Sequence, residues 1–455
     1  MGAPNGGCGM GRFGIYLALI FAAMFAAAAQ AAPVSVQLGS SVVPLNGPWK
    51  FHTGDDAHWA SADLDDAHWE TVDLTPKAGA HDGDVGLKGY VAGWNARGHR
   101  NYSGYAWYRM TVRVSGANTG TLWIDGPAAV DNAYQLYFNG HLIGSGGGDF
   151  SRDPPTVVSI QPRLFALPRN LWHADGDALS GVVAIRVFLM KAGTVPSDYG
   201  GIHIAPLLGN EKGAGDHYRG QWQQTIEGYV VDASEGLIFV MLAVMALCIL
   251  PFDRGNSFYV WAAVGLCLAG FARGNQAIFF WGQTETYTEI VLLRIVLADG
   301  LVFGAFAMAW RAAFGLRQER WSAIAAAALT AGYIVTRFCS LYMVSSHLWT
   351  GASAFFLDIH QAVRFGLLAL FLYLAVRGAM RRETGAWIGV AALIFLGIGL
   401  FAQEVGMLGV QGIWFPFGVG VSRTEYAHAV FDVLMFAYLL ARLWHFAPQN
   451  ISKAS

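Results

Sequence analysis

Nine ionisable side chains lie inside or at the ends of long apolar segments in the second half of this sequence. Glu425, His428 and Asp432 are spaced three and then four residues apart, so a helix would place them on one stripe. His360 and Arg364, four residues apart, would share a helix face in the same way. Ionisable groups in membrane-spanning segments are energetically expensive and usually face the bundle interior, so each is a candidate functional residue. The full set is Arg294, Asp299, Asp358, His360, Arg364, Glu404, Glu425, His428 and Asp432.

This intramembrane polar cluster is compatible with several kinds of chemistry. All its members are expected in the outer half of their segments, where they could form a pocket for a polar ligand or a proton-linked switch, because histidine titrates near neutrality. They could equally form ion pairs that only fix helix packing. A zinc hydrolase would need three protein ligands and an open position. Only His360 and His428 lie deep enough for that, and no nucleophile or paired-histidine motif accompanies them. We therefore predict no catalytic residue, no metal site and no cofactor.

The polar side chains must be positioned by the apolar segments that contain them. A helix rises about 1.5 Å per residue and the hydrocarbon core is about 30 Å thick, so about twenty mainly apolar residues suffice to cross it. Seven such segments follow one another, which predicts an all-α seven-helix transmembrane bundle over 229–446. They are 233–250, 258–271 with an extension at 277–281, 290–309, 323–344, 352–376, 386–402 and 426–444.

Basic residues predict the orientation of the bundle, because short cytoplasmic loops carry an excess of Lys and Arg. Alternate breaks between the segments are basic, which places the N-terminal part outside and the tail at 447–455 in the cytoplasm. We expect a multi-pass protein of the bacterial inner membrane, in contact with membrane lipid. The basic positions are Arg254, Arg311, Arg317, Arg320, Arg377, Arg381, Arg382, Arg442 and Lys453.

Composition agrees with a membrane protein and argues against nucleic-acid binding. Charged residues make up 13% of the chain, and the mean hydropathy is +0.38, which soluble globular proteins rarely show. The net charge of −2 offers no basic stripe for nucleic acid. Residues 1–31 resemble a secretory signal peptide, with Arg12, an apolar run at 13–28 and an Ala-Gln-Ala cleavage site. The alternative is an uncleaved eighth helix. In either case the next segment is exported.

Residues 34–210 alternate polar and apolar side chains in short runs separated by Gly, Pro, Asn and Asp, which predicts an all-β domain. The Asn139-Gly140 pair predicts a hairpin turn, because both residues accept positive φ. This exported segment contains no cysteine, so no disulfide stabilises it. A polar, glycine-containing stretch at 211–228 predicts a short linker or a pre-helix before the first span.

Five motifs in this β segment resemble the galactose-binding-like jelly roll at the front of family-two glycoside hydrolases. In those enzymes the module is a non-catalytic sandwich that precedes a catalytic barrel, whereas here apolar segments follow it. The resemblance therefore implies a jelly-roll sandwich used for binding or scaffolding, not for glycoside hydrolysis. The motifs are Leu-Asn-Gly-Pro-Trp-Lys-Phe at 45–51, Asp-Asp-Ala-His-Trp-Glu-Thr-Val at 65–72, Trp-Tyr-Arg at 107–109, Phe-Asn-Gly-His-Leu-Ile-Gly at 138–144 and Gly-Gly-Ile at 200–202.

Within this domain the loop 90–105 is the candidate ligand site. It combines aromatic rings with hydrogen-bonding groups, the combination used in sugar recognition, although an ordinary surface loop is an open alternative. Its candidate residues are Trp94, Asn95, Arg97, His99 and Tyr102. The repeated Asp-Asp-Ala-His-Trp at 55–59 and 65–69 allows a metal interpretation, but we favour capped turns followed by tryptophans that fill the sandwich.

The order of leader, exported sandwich and seven spans resembles the bacterial seven-transmembrane receptors with diverse intracellular signalling modules. Residues 253–259 between the first two spans, Glu425 and the stretch 441–444 carry this resemblance. It implies a protein that binds ligand outside and drives a cyclase, kinase or phosphatase inside. Only nine residues follow Phe446, so we expect the output to come from an unknown cytoplasmic signalling protein.

The sequence therefore favours a non-enzymatic membrane receptor whose jelly roll binds a carbohydrate-like or other small ligand in the periplasm. A transporter or transport accessory that uses the outer carboxylates and histidines is the alternative from another class. The intramembrane zinc hydrolase is the third hypothesis.

Overall fold

The computed structural model describes residues 42–115, 121–175, 178–191, 197–349, 351–381, 386–410, 412–416 and 418–454. The predicted leader at 1–31 lies outside these residues. The described chain forms a β-sandwich-like domain up to residue 210 and a helical domain from residue 211 onwards.

Two larger antiparallel sheets and two short two-stranded sheets form the first domain. The larger has the order β3-β2-β4-β13-β7-β8, with β12 paired to β13, and the smaller has the order β1-β15-β5-β11. The strands are β1 Val42–Pro44, β2 Trp49–Thr53, β3 Glu70–Val72, β4 Gly104–Ser115, β5 Leu122–Asp125, β6 Val130–Asp131, β7 Ala133–Phe138, β8 His141–Gly146, β9 Gly148–Asp149, β10 Thr156–Val157, β11 Leu164–Leu167, β12 His173–Asp175, β13 Ala178–Leu189, β14 Gly201–Ile202 and β15 Leu207–Asn210. The predicted hairpin is confirmed, since Asn139 and Gly140 join β7 to β8 with φ of 45° and 82°.

The larger sheet is covered on both faces. Successive residues of a strand point to opposite faces, yet Trp107 and Tyr108 in β4 are both buried. Tyr108 belongs to the core between the sheets, whereas Trp107 packs with Trp59 and Trp69 on the other face. Trp59 and Trp69 are the last residues of the two repeated Asp-Asp-Ala-His-Trp motifs. In the first motif, the Asp56 side chain accepts a hydrogen bond from the His58 amide at 2.8 Å. The repeat therefore builds capped turns and a tryptophan cover.

The helical domain contains six helices that are long and apolar enough to cross a membrane, counted within the described residues. Large apolar side chains such as Met241, Leu372 and Trp387 are exposed on its surface, as expected for contact with lipid. The helices are α1 Glu211–Ile249, α2 Phe258–Gly282, α3 Tyr287–Ile290, a π-helix at Val291–Ala298, α4 Asp299–Ala313, α5 Arg320–Ser340, α6 Tyr342–Ser345, α7 Ala352–Ala379, α8 Ala386–Leu400, α9 Ala402–Gly406 and α10 Arg423–Ala454. A short pair of strands, β16 Ile413–Trp414 and β17 Val421–Ser422, precedes α10.

Residues 211–228 are the first half of α1, so the prediction of a linker is wrong and the alternative, a pre-helix, agrees with the structure. The Asn210 side chain caps the helix by accepting a hydrogen bond from the Gly213 amide at 2.7 Å. Packing against the sandwich outweighs the low helix propensity of the glycines at 213, 215 and 220. At about 1.5 Å per residue the 39 residues of α1 extend about 58 Å, well beyond the thickness of the hydrocarbon core.

The seven predicted spans are not all found. The segment predicted at 386–402 contains the 15-residue helix α8, which rises about 22 Å and falls short of the hydrocarbon core. Helical geometry is interrupted at Phe401, whose φ is −102° and ψ is 34°, before the short helix α9 begins.

The sandwich is docked directly on the helical domain. The Ser159 hydroxyl donates to the Phe279 carbonyl at 2.7 Å, and the Tyr229 hydroxyl of α1 donates to Asp84 at 2.5 Å. The Gln224 amide donates to the carbonyls of both Val85 and Gly418, at 2.7 and 2.8 Å. The loop around Asp84 therefore connects the sandwich with α1 and with the turn before α10.

Gly228→Ala should loosen this junction. An added Cβ would lie 2.3 Å from Cγ1 of Val85 and 2.6 Å from its Cβ, so the loop must shift. Gly220→Ala on the same helix meets nothing within 4 Å and should stabilise α1 by about 0.5–1 kcal/mol. Thermal unfolding and hydrogen–deuterium exchange over 82–89 measure both effects. Equal exchange in the two variants would contradict close packing here.

Candidate functional site

A single arginine joins the charged residues of three helices. Arg273 of α2 contacts Glu235 at 2.6 Å and Asp232 at 2.8 Å, both on α1, and Glu425 of α10 at 2.6 Å. His428 of α10 completes the group through its Nδ1, which contacts Glu235. We refer to Asp232, Glu235, Arg273, Glu425 and His428 as the Arg273 network.

Helical spacing brings these side chains together. Asp232 and Glu235 are three residues apart on α1, and Glu425 and His428 are three residues apart on α10, so each pair shares a helix face. Asp232, Glu235 and His428 are between 3% and 6% exposed. Buried charges need partners, and Arg273 lies within ion-pair distance of three carboxylates, of which Asp232 Oδ1 has no hydrogen-bond partner among the described residues.

A second charged pair joins α7 and α9, and its Arg364 interacts electrostatically with Asp299, as Arg273 does. Arg364 of α7 and Glu404 of α9 form a two-pronged ion pair, with Nε–Oε1 and Nη2–Oε2 distances of 2.7 Å. Gln361 donates to the same carboxylate at 3.0 Å. His360 contacts the Thr336 hydroxyl at 3.1 Å, and its ring centroid lies 4.5 Å from that of Tyr333. These contacts tie α5, α7 and α9 together.

Arg294 and Asp299 lie at the π-helical segment of the third long helix. The Asp299 amide donates to the Arg294 carbonyl, five residues earlier, which closes the wide π turn. Asp299 interacts electrostatically with Arg294 and Arg273, and Nε of Arg294 has no hydrogen-bond partner among the described residues. Single π turns within helices often occur at functional sites.

The nine sequence-predicted residues therefore do not form one cluster. Glu425 and His428 join the Arg273 network, whereas His360, Arg364 and Glu404 belong to the second group. Asp358 is exposed and belongs to neither. Asp432 is 7% exposed and forms no hydrogen bond or ion pair within the described part of the chain, where its Oδ1 is buried without a partner. These separate environments indicate different roles.

The zinc hypothesis receives no support from the arrangement. His360 and His428 lie in different groups, with Thr336 and Glu235 respectively as neighbours. Among the described residues no group of three or more His, Cys, Asp or Glu side chains could hold a metal ion.

The five candidate side chains of the loop 90–105 form hydrogen bonds and an ion pair within the sandwich itself. Trp94 is 1% exposed, and its indole donates to the Tyr102 carbonyl at 3.2 Å. Asn95 donates to the Tyr199 carbonyl at 2.9 Å, and Arg97 to the Asp73 carbonyl at 2.7 Å. His99 contacts Glu70 at 2.9 Å, and Tyr102 donates to the Tyr105 carbonyl at 2.5 Å. A binding role for these five residues stays a prediction that their contacts do not support.

Sequence reasoning missed three members of the Arg273 network. Glu235 stands inside the first apolar segment, three residues after Asp232, and that pair was the available signal. Arg273 lies at a break between two apolar stretches, where it is interpreted more readily as a loop residue. Only the packing of α1 against α2 and α10 reveals that these residues are partners.

A second polar contact connects the sandwich with the start of α1. Asp125 of β5 is buried and contacts Nδ1 of His217 at 2.5 Å. Burial raises the pKa of the Asp125 carboxyl, although the hydrogen bond and charge of His217 act in the opposite direction. Asp84 is exposed at its loop position and accepts the hydrogen bond of the Tyr229 hydroxyl of α1. Both carboxyls couple the fold of the sandwich to the position of α1.

A cleft of about 540 Å³ lies where the two domains meet. The sandwich contributes the segment 76–89, with Lys77, His81 and Lys88, and the turn before α10 contributes Phe415 and Gly418. The rings of His81 and Phe415 have centroids 4.2 Å apart. A molecule bound in this cleft would touch both domains.

His203 anchors the end of that segment to the sandwich. Its Nδ1 contacts the Val91 carbonyl and its Nε2 contacts Asp131, both at 2.8 Å, and its ring stacks on Tyr90. Both partners are acceptors, which favours the protonated ring. Burial alone would lower the pKa of His203, but the hydrogen bond and charge of Asp131 outweigh it and raise the pKa above the usual 6.5.

Glu404→Gln should destabilise the bundle, because it leaves the buried Arg364 charge without its partner. Removing one member of a buried ion pair costs about 3–5 kcal/mol, and thermal unfolding of the purified protein in lipid nanodiscs measures the loss. Asp358→Asn changes an exposed carboxylate on the helix of Arg364 and should leave the unfolding temperature almost unchanged. Equal effects of the two variants would contradict the burial of this pair.

His203→Gln should reduce the dependence of stability on pH. A histidine with a raised pKa in the folded state stabilises the fold below pH 6.5, and this contribution is lost as pH rises through the raised value. The unfolding temperature of the wild type should therefore decrease relative to that of the variant between pH 6 and about 9. Parallel curves for the two proteins would exclude a charged His203.

No protein-family model matches this chain, and no curated protein sequence matches it. Among solved structures, a β-glucuronidase from Bacteroides uniformis is 18% identical over 37% of this chain and 17% of that chain, with a TM-score of 0.26. A β-glucuronidase from glycoside hydrolase family 2 is also 18% identical, over 38% of this chain and 18% of that chain, with a TM-score of 0.27. A Bifidobacterium dentium β-glucuronidase in complex with coumarin-3-O-glucuronide is 20% identical over 32% of this chain and 20% of that chain, with a TM-score of 0.23. The chain thus spans a fifth or less of these enzymes, and this partial similarity carries no argument about their activity.

Proposed function

We propose that this chain is a bacterial inner-membrane receptor. Its exported sandwich binds a carbohydrate-like or other small ligand and passes a conformational bias to the helical domain. In this proposal the chain binds the ligand and changes the conformation of its helical domain, and a cytoplasmic signalling protein responds to that change. In this proposal α8 and α9 together complete the seventh crossing of the membrane.

The unbroken helix α1 is the observation that carries this proposal. Its first half contacts the sandwich through His217 and Tyr229, and its second half supplies Asp232 and Glu235 to the Arg273 network. A continuous helix transmits a displacement along its axis, whereas the predicted linker would have absorbed it. A ligand that favours one position of the sandwich would therefore bias the network as well.

The junction cleft is the ligand site that suits this coupling best. Ligand sites often occur at domain interfaces, and this cleft is bounded by the sandwich segment 76–89 and by Phe415 and Gly418. Gly418 also accepts a hydrogen bond from Gln224 of α1. A ligand in the cleft would therefore affect the positions of α1 and α10 together.

Transport is the alternative function, and the interrupted helix at Phe401 and the π-helical segment are the observations that favour it. Transporters often place their substrate site at discontinuous helices. Flux of a substrate through proteoliposomes that is abolished by Asp432→Asn would favour transport over sensing. A receptor would produce no flux.

Asp84→Asn should weaken the coupling between the domains. The variant loses the charged acceptor for the Tyr229 hydroxyl, so we expect faster hydrogen–deuterium exchange both in the loop 82–89 and at the start of α10. Asp216→Asn is the matched control, because it changes an exposed carboxylate of α1 that pairs only with Lys212 and Arg219. Its exchange at α10 should equal that of the wild type.

The same measurement tests ligand sensing on the full chain in nanodiscs. A panel of neutral and acidic mono- and oligosaccharides is added, and exchange is followed over 76–89 and 423–432. In the wild type, a sugar that binds should slow exchange in both regions. In Asp84→Asn, the same sugar should slow exchange only over 76–89. Protection confined to the sandwich, or no binder in the panel, would contradict the proposal.

A further inference from the structure

A groove of about 700 Å³ runs along the surface of the bundle between α1 and α10. Its wall on α1 extends from Val230 to Met245, which is about 22 Å at 1.5 Å per residue. Met241, Val433 and Phe436 line the groove and are 63%, 48% and 49% exposed. The groove therefore opens sideways, where the hydrocarbon chains of the bilayer lie.

The polar side chains of the groove lie in the part nearer the sandwich. Glu235 and Glu425 line this part together with Val230, Val231 and Ser234, and Asp432 follows along α10. The remainder is lined by apolar side chains such as Ile238, Met245 and Phe436. This gradient matches an amphiphile whose head group faces the sandwich and whose tail points towards the middle of the membrane.

Asp432 is the side chain in this groove that has no partner. Glu235 and Glu425 are paired with Arg273, and Glu235 also contacts His428. Asp432 is 7% exposed, forms no hydrogen bond or ion pair among the described residues, and its Oδ1 is buried and unsatisfied. An unpaired carboxylate in hydrocarbon is strongly unfavourable, so a cation supplied by a ligand would stabilise it.

Charge complementarity identifies the kind of head group. The carboxyl groups of Glu235, Glu425 and Asp432 line the groove, and no Lys, Arg or His side chain among the described residues does so. Arg273 contacts Glu235 and Glu425, and His428 contacts Glu235. Arg294 is a further cation with an electrostatic influence on Asp232, but it does not line the groove. The local excess is negative, which favours a cationic head group over an anionic one.

We infer that the groove between α1 and α10 binds an amphiphile with an ammonium head group and a long alkyl chain, with Asp432 as the counter-ion of the ammonium. The inference does not depend on the receptor function, since binding can be measured without any signal. An alkyl chain suits the lateral opening of the groove and the apolar side chains beyond Asp432, such as Met245 and Phe436, and the ammonium supplies the partner that Asp432 lacks.

Binding of a photoreactive dodecylamine to the full chain in nanodiscs tests this inference. The amine should label residues of α1 and α10 in a saturable manner, and dodecanol and dodecanoic acid should compete at least about tenfold less well, since they lack the charged hydrogen bond. Asp432→Asn should weaken binding of the amine about tenfold or more, and Asp432→Glu should retain it. Asp358→Asn, which changes an exposed carboxylate elsewhere on the bundle, should bind as the wild type does.

A second pair of variants keeps the test decisive if Asp432→Asn fails to fold. Met241→Trp fills the groove from an exposed position and leaves every carboxylate in place, so it should reduce amine labelling strongly. Leu372→Trp adds the same side chain at an exposed position of α7, outside this groove, and should have no effect. Equal binding of amine, alcohol and acid would show an apolar groove only and would overturn the inference. Labelling that persists in Met241→Trp would overturn it too.

Discussion

The pairing of one buried guanidinium with three carboxylates holds together the part of this bundle that lies nearer the sandwich. Arg273 contacts Asp232 and Glu235 of α1 and Glu425 of α10, and its own helix lies beside α1. Charges away from water are strongly unfavourable unless they are paired, so these three helices cannot separate or rotate without exposing an unpaired ion. The network therefore specifies their mutual position, whatever ligand the protein binds.

Helix α1 connects the Arg273 network to the sandwich. Its 39 residues continue without interruption from the Asn210 cap to Ile249, and its polar contacts change partner along the way, from Asp125 to Asp84 and then to Arg273. The loop that carries Asp84 is itself rigid, because Asp82 accepts hydrogen bonds from the amides of Asp84 and Val85 at 2.7 and 2.8 Å. Sandwich, helix and network thus form one connected structure rather than two tethered domains.

Much of the architecture could be predicted from the sequence, because hydropathy and alternation are local properties. The β segment, the Asn139-Gly140 hairpin and most apolar helices depend on neighbours within a few residues. The continuation of α1 through 211–228 depends on distant packing partners, so the glycines there were misleading. The internal contacts of Trp94, Asn95 and Arg97 could not be predicted from the local sequence either. Aromatic and polar side chains give the same sequence pattern whether they face a ligand or the backbone of their own domain. For the same reason the Arg273 network needed the structure, because its members lie on three helices far apart in the chain.

The end of the bundle remote from the sandwich is held by the ion pair of Arg377 with Glu319 at 2.7 Å and by contacts of arginine side chains with backbone carbonyls. Arg311 donates to the Arg317 carbonyl at 2.7 Å, and Arg317 donates to the Gly255 carbonyl at 2.6 Å. An arginine stays charged at every physiological pH and a backbone carbonyl does not titrate, so these contacts are insensitive to pH. At the sandwich end the contacts join carboxylates, histidines and a tyrosine hydroxyl, and the Asp432 side chain has no hydrogen-bond or ion-pair partner among the described residues. A change of a single charge there would therefore alter contacts that α1 makes with the sandwich, α2 or α10, whereas the arginine–carbonyl contacts of the remote end do not depend on a titratable acceptor.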